Sequence, residues 1–178
     1  MVINIVLYEP EIPQNTGNIM RTCVAIGATL HLIEPFGFEL SDKTLKRSGL
    51  DYIKDLKFKV YRDYKDFIKQ NSGTFYFLSR YGKKSYEKIR YESPLSKIYI
   101  LFGKESTGIE KKILAENLIN TFRIPTTDKV RSINLSNAVA IVAFDAMRHF
   151  GFPGCFDHEP ESHKGKDFLD KFQNKMSQ

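Results

Sequence analysis

Short apolar runs recur along this chain, and each is followed by a segment of helical period. That alternation constrains the fold more than any other feature. Residues 3–8, 29–33, 74–78 and 97–102 are apolar, aromatic or β-branched over five or six positions, the pattern of strands buried on both faces. Shorter strands are expected at 59–61 and at 121–124, the latter ended by Pro125. Helical spacing is found at 15–26, 64–70, 108–115 and 135–150, with Gly27 and Gly151 placed to stop the first and the last. A basic stretch, 43–59, is read as one short helix and a loop, and the tail has helical spacing at Phe168, Leu169 and Phe172. A strand–helix alternation of this kind predicts an α/β fold, a mostly parallel sheet flanked by helices on both faces.

With 178 residues, 42% of them hydrophobic, one compact domain can bury a core without disulfides or a structural metal. The two cysteines, Cys23 and Cys155, have no metal or disulfide spacing, which fits a reducing compartment. Residues 1–8 are apolar but have no basic leader, and Glu9-Pro10 interrupts them, so they read as a strand and not as a signal peptide. No window approaches the roughly 18 apolar residues of a membrane span. The expected location is cytoplasmic, with no membrane partner. A GxGxxG turn, a GxxxxGK[ST] loop and a GxSxG elbow are all missing, which argues against dinucleotide, P-loop and serine-hydrolase chemistry. His158-Glu159-Pro160-Glu161-Ser162-His163 is one residue too long for a zinc-binding HExxH and contains a helix breaker, so no metal is expected. The formal charge of +6 is compatible with an acidic partner such as nucleic acid and equally with an ordinary basic surface.

Three segments carry a chemical signal, each where a strand hands over to a loop or helix. The first is Pro10-Glu11-Ile12-Pro13-Gln14-Asn15-Thr16-Gly17-Asn18-Ile19-Met20-Arg21, a stiff loop with Asn15 as the expected helix cap and Arg21 on the second helical turn. Alone, it reads equally as a well-capped helix with an exposed arginine. The second is Leu101-Phe102-Gly103-Lys104-Glu105-Ser106-Thr107-Gly108-Ile109, a strand ending in a tight turn with free amides and one carboxylate, Glu105. Alone, it reads better as an ordinary strand-to-helix turn in which Gly108 relaxes φ. The third runs from Arg123 to Ala138 and includes Ser132-Ile133-Asn134-Leu135-Ser136-Asn137, with more Asn and Ser than one N-cap requires.

Taken together and in this order, the three segments resemble the signature motifs of the SPOUT, or trefoil-knot, RNA methyltransferases. Within that superfamily the chain is similar to the short, single-domain tRNA (cytidine/uridine-2′-O)-methyltransferases. The likeness runs from Asn4 to Gly154, and its most specific parts are Ile12-Pro13-Gln14-Asn15-Thr16-Gly17-Asn18-Ile19, Gly49-Leu50-Asp51-Tyr52 and Ser132-Ile133-Asn134-Leu135-Ser136-Asn137-Ala138. It implies a SPOUT fold with a C-terminal deep trefoil knot over residues 1–155, and a C-terminal extension, 156–178, without an assigned role. It further implies S-adenosyl-L-methionine bound at Leu78, Gly103, Ile124, Ser132 and Asn134, and a homodimer formed through the first and last helices. The implied substrate is tRNA, methylated on the ribose of the wobble nucleotide. Arg21 is the implied catalytic residue, with Asn15 and Glu105 fixing it or its loop. Lys104 and Glu110 stand where such proteins often have proline, which implies a less rigid turn. A 2′-O-methyltransferase for another tRNA or rRNA site, or a catalytically silent knotted RNA-binding protein, would carry much of the same pattern. Within 41–70 nine basic residues face five acidic ones, a candidate RNA grip or simply a solvated surface.

Overall fold

The computed structural model describes residues 3–40, 53–91 and 96–172. Seven strands form one sheet: β1 (Ile3–Tyr8), β2 (Thr29–Ile33), β3 (Lys57–Tyr61), β4 (Thr74–Leu78), β5 (Lys84–Ser85), β6 (Ile98–Gly103) and β7 (Thr121–Arg123). Their order is β3-β2-β1-β6-β4-β7-β5, and every pairing between them is parallel. The helices are α1 (Pro13–Ala25), α2 (Tyr64–Gln70), α3 (Lys111–Glu116) and α4 (Leu135–His149).

The parallel α/β architecture is therefore the one expected, with adjustments at the element ends. Helix α1 starts at Pro13 and not at Asn15, because proline suits the first helical turn, where its missing N–H would have no partner. Asn15 is thus not the cap; Ile12 occupies that position without a side-chain bond. Helix α3 begins at Lys111, three residues later than expected, since Gly108 is left-handed (φ +75°) and Glu110 extended. Of the basic stretch, 43–52 lies outside the described residues, as does 49–52 of the resemblance. Its remainder is a 3₁₀ turn at Ile53–Asp55 followed by strand β3, so no loop extends to residue 59. The two-residue β5 was not expected. In the tail, the Phe168 and Phe172 rings meet edge to face at 5.2 Å.

Two cores form because strand residues alternate between faces. On one face Ile5, Leu7, Leu30, Leu32, Ile98 and Ile100 pack against Ile19, Met20 and Cys23 of α1 and Val139, Val142 and Ala146 of α4. On the other face Val6, Tyr61, Phe77, Tyr99 and Leu101 pack against Phe67 of α2 and Ile113 and Leu114 of α3. The sheet grows outward in one direction through β1, β2 and β3 and in the other through β6, β4, β7 and β5. The switch point lies between β1 and β6, where Tyr8 is level with Gly103. Ligands of open parallel sheets bind beyond the C-terminal strand ends at such a point.

Candidate active site

Beyond that switch point lies a cavity of about 610 Å³, within the usual size range for small-molecule sites. The three segments singled out in the sequence all reach it, and their side chains are bonded to one another. Asn15, 6% exposed, donates from Nδ2 to Glu105 Oε1 at 2.8 Å, and its Oδ1 accepts from Asn134 Nδ2 at 3.0 Å. Glu105 Oε2 accepts the Glu11 backbone N–H at 2.9 Å. The Glu11 carboxylate in turn accepts the N–H and the hydroxyl of Ser106, at 2.9 and 2.7 Å. Those bonds hold the Glu11 carboxyl below its usual range, the Ser106 hydroxyl contributing most. Asn134 works in two directions. Its Oδ1 caps α4, accepting from Ser136 N at 2.8 Å, Ser136 Oγ at 2.7 Å and Asn137 N at 3.4 Å, while its amide reaches across to Asn15. The surplus of Asn and Ser is thus explained by a cap that is also a cross-link.

Lys104 is held as well. Its Nζ lies 2.6 Å from Glu9 Oε2, a pairing that raises the ammonium pKa. The turn that sequence suggested would be loose is therefore tied back to the end of β1. Gly103 explains its own identity: a Cβ there would drive into the backbone of Gly108 and Ile109, which folds directly over it. Gly82 is constrained in the same way against the backbone of Phe122 and Arg123, which pins the loop after β4 to β7.

Leu78, Gly103, Ile124, Ser132 and Asn134 all line the cavity, as do Asn15 and Glu105. Arg21 does not. It is exposed on α1, two turns beyond Asn15. Sequence reasoning missed Ser79, Arg80, Tyr81 and Lys111 on the cavity wall, which Arg131 of the third segment also lines. The signal that could have found the first three is position alone, since they follow directly on the C-terminal end of β4. Among the described residues no group of three His, Cys, Asp or Glu side chains is placed to hold a metal ion.

Comparison with known proteins places this geometry. The tRNA (cytidine(34)-2′-O)-methyltransferase of Escherichia coli (strain K12) is 42% identical over 159 residues, covering 86% of this chain and 98% of that protein. A solved structure concerned with 2-OH methylation of C/U34 on tRNA superposes with a TM-score of 0.76, at 39% identity, over 84% of this chain and 97% of that one. An AdoMet-bound rRNA methyltransferase from Sinorhizobium meliloti gives 0.72 at 27% identity, over 83% of this chain and 56% of that one. The model of the SpoU rRNA Methylase family matches residues 2–144, and this chain belongs to that family.

Proposed function

We propose that this protein transfers a methyl group from S-adenosyl-L-methionine to the ribose 2′-hydroxyl of the wobble nucleotide, cytidine or modified uridine, in tRNA anticodon loops. The observation that carries this reading is the convergence of three sequence-distant turns on one cavity, clamped by Glu105, Asn15 and Asn134. Its support from relatives is the likeness to wobble-ribose methyltransferases over nearly their whole length.

The cavity suits the methyl donor. The turn at Gly103 is closed so tightly that no side chain fits, which leaves backbone to face a ligand, and Leu78 and Ile124 offer apolar walls. Leu78, Gly103, Ile124, Ser132 and Asn134 would hold the donor, which supplies a methyl carbon already activated by its sulfonium. The chain's own task is alignment and help with one proton. Asn15 and Glu105 lock the loop after β1 to the loop after β6, so the walls keep their spacing when the RNA arrives. Arg21 is effectively always protonated and hence a poor base. Its role in this reading is to hold the phosphate beside the reacting ribose and polarise the hydroxyl as charge develops on oxygen.

Pairing of two chains through α1 and α4 belongs to the same reading. Ile141 and Phe144 of α4 are 39% and 46% exposed, and the Phe152 ring lies tilted beside Phe144 at 6.4 Å, an apolar surface suited to a second copy. Such pairing would bring Arg21, which lies outside its own chain's cavity, to the rim of a neighbour's. The C-terminal deep knot implied by the sequence resemblance is likewise part of it. So are a cytoplasmic location and a boundary at residue 155, beyond which 156–178 form an extension. No helix among the described residues is long and apolar enough to cross a membrane.

Incubation with labelled donor and bulk tRNA tests the activity, and nucleotide-resolution mapping of ribose methylation in a deletion strain tests the position. Loss of methylation at the wobble nucleotide is expected; loss at an rRNA or other tRNA position would reassign the substrate. Arg21→Ala should abolish transfer while donor binding survives, and near-normal turnover would remove Arg21 from the mechanism.

A further inference from the structure

The wall of the cavity contributed by the loop after β4 has a charge pattern that the clamp does not use. Arg80 donates from Nη2 to the Tyr81 hydroxyl at 2.6 Å, and its guanidinium carbon lies 4.7 Å from the centre of the Tyr81 ring. Lys111, at the start of α3, brings Nζ to 5.6 Å from the same ring. Arg131, in the loop leading to α4, is near enough to act electrostatically on the Tyr81 phenol, which is held below its usual range by Arg80 first, then Lys111 and Arg131. All four residues line the cavity, all are exposed, and they come from three separate segments.

Two cations over one aromatic ring, with a third on the same cavity wall, repel one another unless an anion joins them. Among the described residues none of the three is ion-paired with a carboxylate; the pairs that form involve Arg62, Lys104, Arg148 and His158. Of the acids near the cavity, Glu105 is engaged by Asn15 and the Glu11 amide, Glu11 by Ser106, and Glu9 by Lys104, while Glu110 and Asp128 form no ion pair with the three cations. Guanidinium and ammonium groups without counter-charges, placed beside an exposed aromatic ring, are the recurring chemistry of single-stranded nucleic-acid contacts.

We propose that Arg80, Lys111 and Arg131, arranged around Tyr81, form a seat for a backbone phosphate of the RNA strand that presents its ribose to the cavity. This rests on the tRNA reading above and adds the place where the strand is gripped. The seat differs from the basic 53–70 region, whose edge strand β3 is three strand positions from β6, roughly 14 Å across the sheet. The same cations could otherwise hold a carboxylate of the methyl donor, and the test separates these two anions.

The experiment compares the full chain with Arg80→Ala, Lys111→Ala and the double variant. tRNA binding is measured over a range of salt concentrations, and S-adenosyl-L-methionine binding by calorimetry. All substitutions are at exposed positions outside the core. Loss of this one phosphate contact should flatten the slope of log K against log salt by about 0.7 in the double variant and by less in each single variant, with donor affinity unchanged. An unchanged slope would overturn the seat, and a fall in donor affinity matching the fall in tRNA affinity would assign the cations to the donor. A wild-type chain that methylates tRNA while both variants bind it normally sinks only this proposal. A wild-type chain that neither binds nor methylates tRNA sinks the functional reading as well.

Discussion

Asn15 and Asn71 are both amides that gather partners from different parts of the fold, yet their surroundings are opposite. Asn15 joins a carboxylate and a second amide across sequence separations of 90 and 119 residues, and open space lies beside it. Asn71, at the end of α2, accepts from the hydroxyls of Tyr61 and Tyr99 at 3.4 and 3.3 Å, long for such bonds, and its own amide donates to Phe67 O at 2.7 Å. There the neighbourhood is filled with rings: Tyr61 stacks on His31, while Phe67 meets Tyr61, Phe75 and Tyr99 edge to face. His31, 3% exposed, completes the cluster with Nδ1 at 2.8 Å from Tyr61 Oη and Nε2 at 3.0 Å from Asn4 Oδ1. Polar groups in the second cluster satisfy a packed core; in the first they hold walls apart. A hydrogen-bond network marks a candidate site only where it borders a space.

The contrast can be broken most forcefully at Gly103. Gly103→Ala pushes a methyl into the overlying backbone, and overpacking of this order should weaken donor binding on the order of 100-fold by calorimetry. Unaltered affinity would show that the turn is not the binding wall.

His31 tests the opposite region. Burial, with a smaller contribution from Lys59, lowers its pKa to about 4. The unfolded chain takes up this proton near pH 6.5, the folded chain only near 4. Stability therefore falls as pH drops through that window and levels off below it, by up to about 3 kcal/mol in all. Urea unfolding at several pH values should show this drop in the wild type and its absence in His31→Gln. A matching drop in donor affinity would blur the distinction between the two regions.

A smaller effect is expected at Asn15. Asn15→Ala leaves Glu105 and Asn134 each short of a partner, costing about 2 kcal/mol in thermal or denaturant unfolding. The loss should shrink once donor is added if the cavity then reassembles. Smallest of all, Lys104→Ala removes a partly exposed ion pair and should cost under about 1 kcal/mol, less still at high salt.

Much of this was legible in the sequence, for physical reasons. The strands Ile3–Tyr8, Thr29–Ile33 and Thr74–Leu78 and the helix Tyr64–Gln70 were read to the residue, because buried parallel strands are continuous apolar runs with polar ends. Asn15 was singled out but given the wrong job. Local spacing suggests a cap, and only the three-dimensional fold reveals partners 90 and 119 residues away. Strand β5 is two polar residues, Lys84 and Ser85, with no pattern to detect. Arg80 and Tyr81 were passed over because an arginine and a tyrosine after a strand look like any solvated loop until Lys111 and Arg131 are seen beside them.

The bond from Asn134 to Asn15 also orders events in time. Asn134 caps the last long helix, so the clamp cannot close until nearly all of the family-matched chain has been synthesised and α4 has docked against α1. A nascent or truncated polypeptide ending before that point would own the sheet's central strands yet lack a finished pocket, so uptake of the small-molecule donor can serve as a readout of complete maturation.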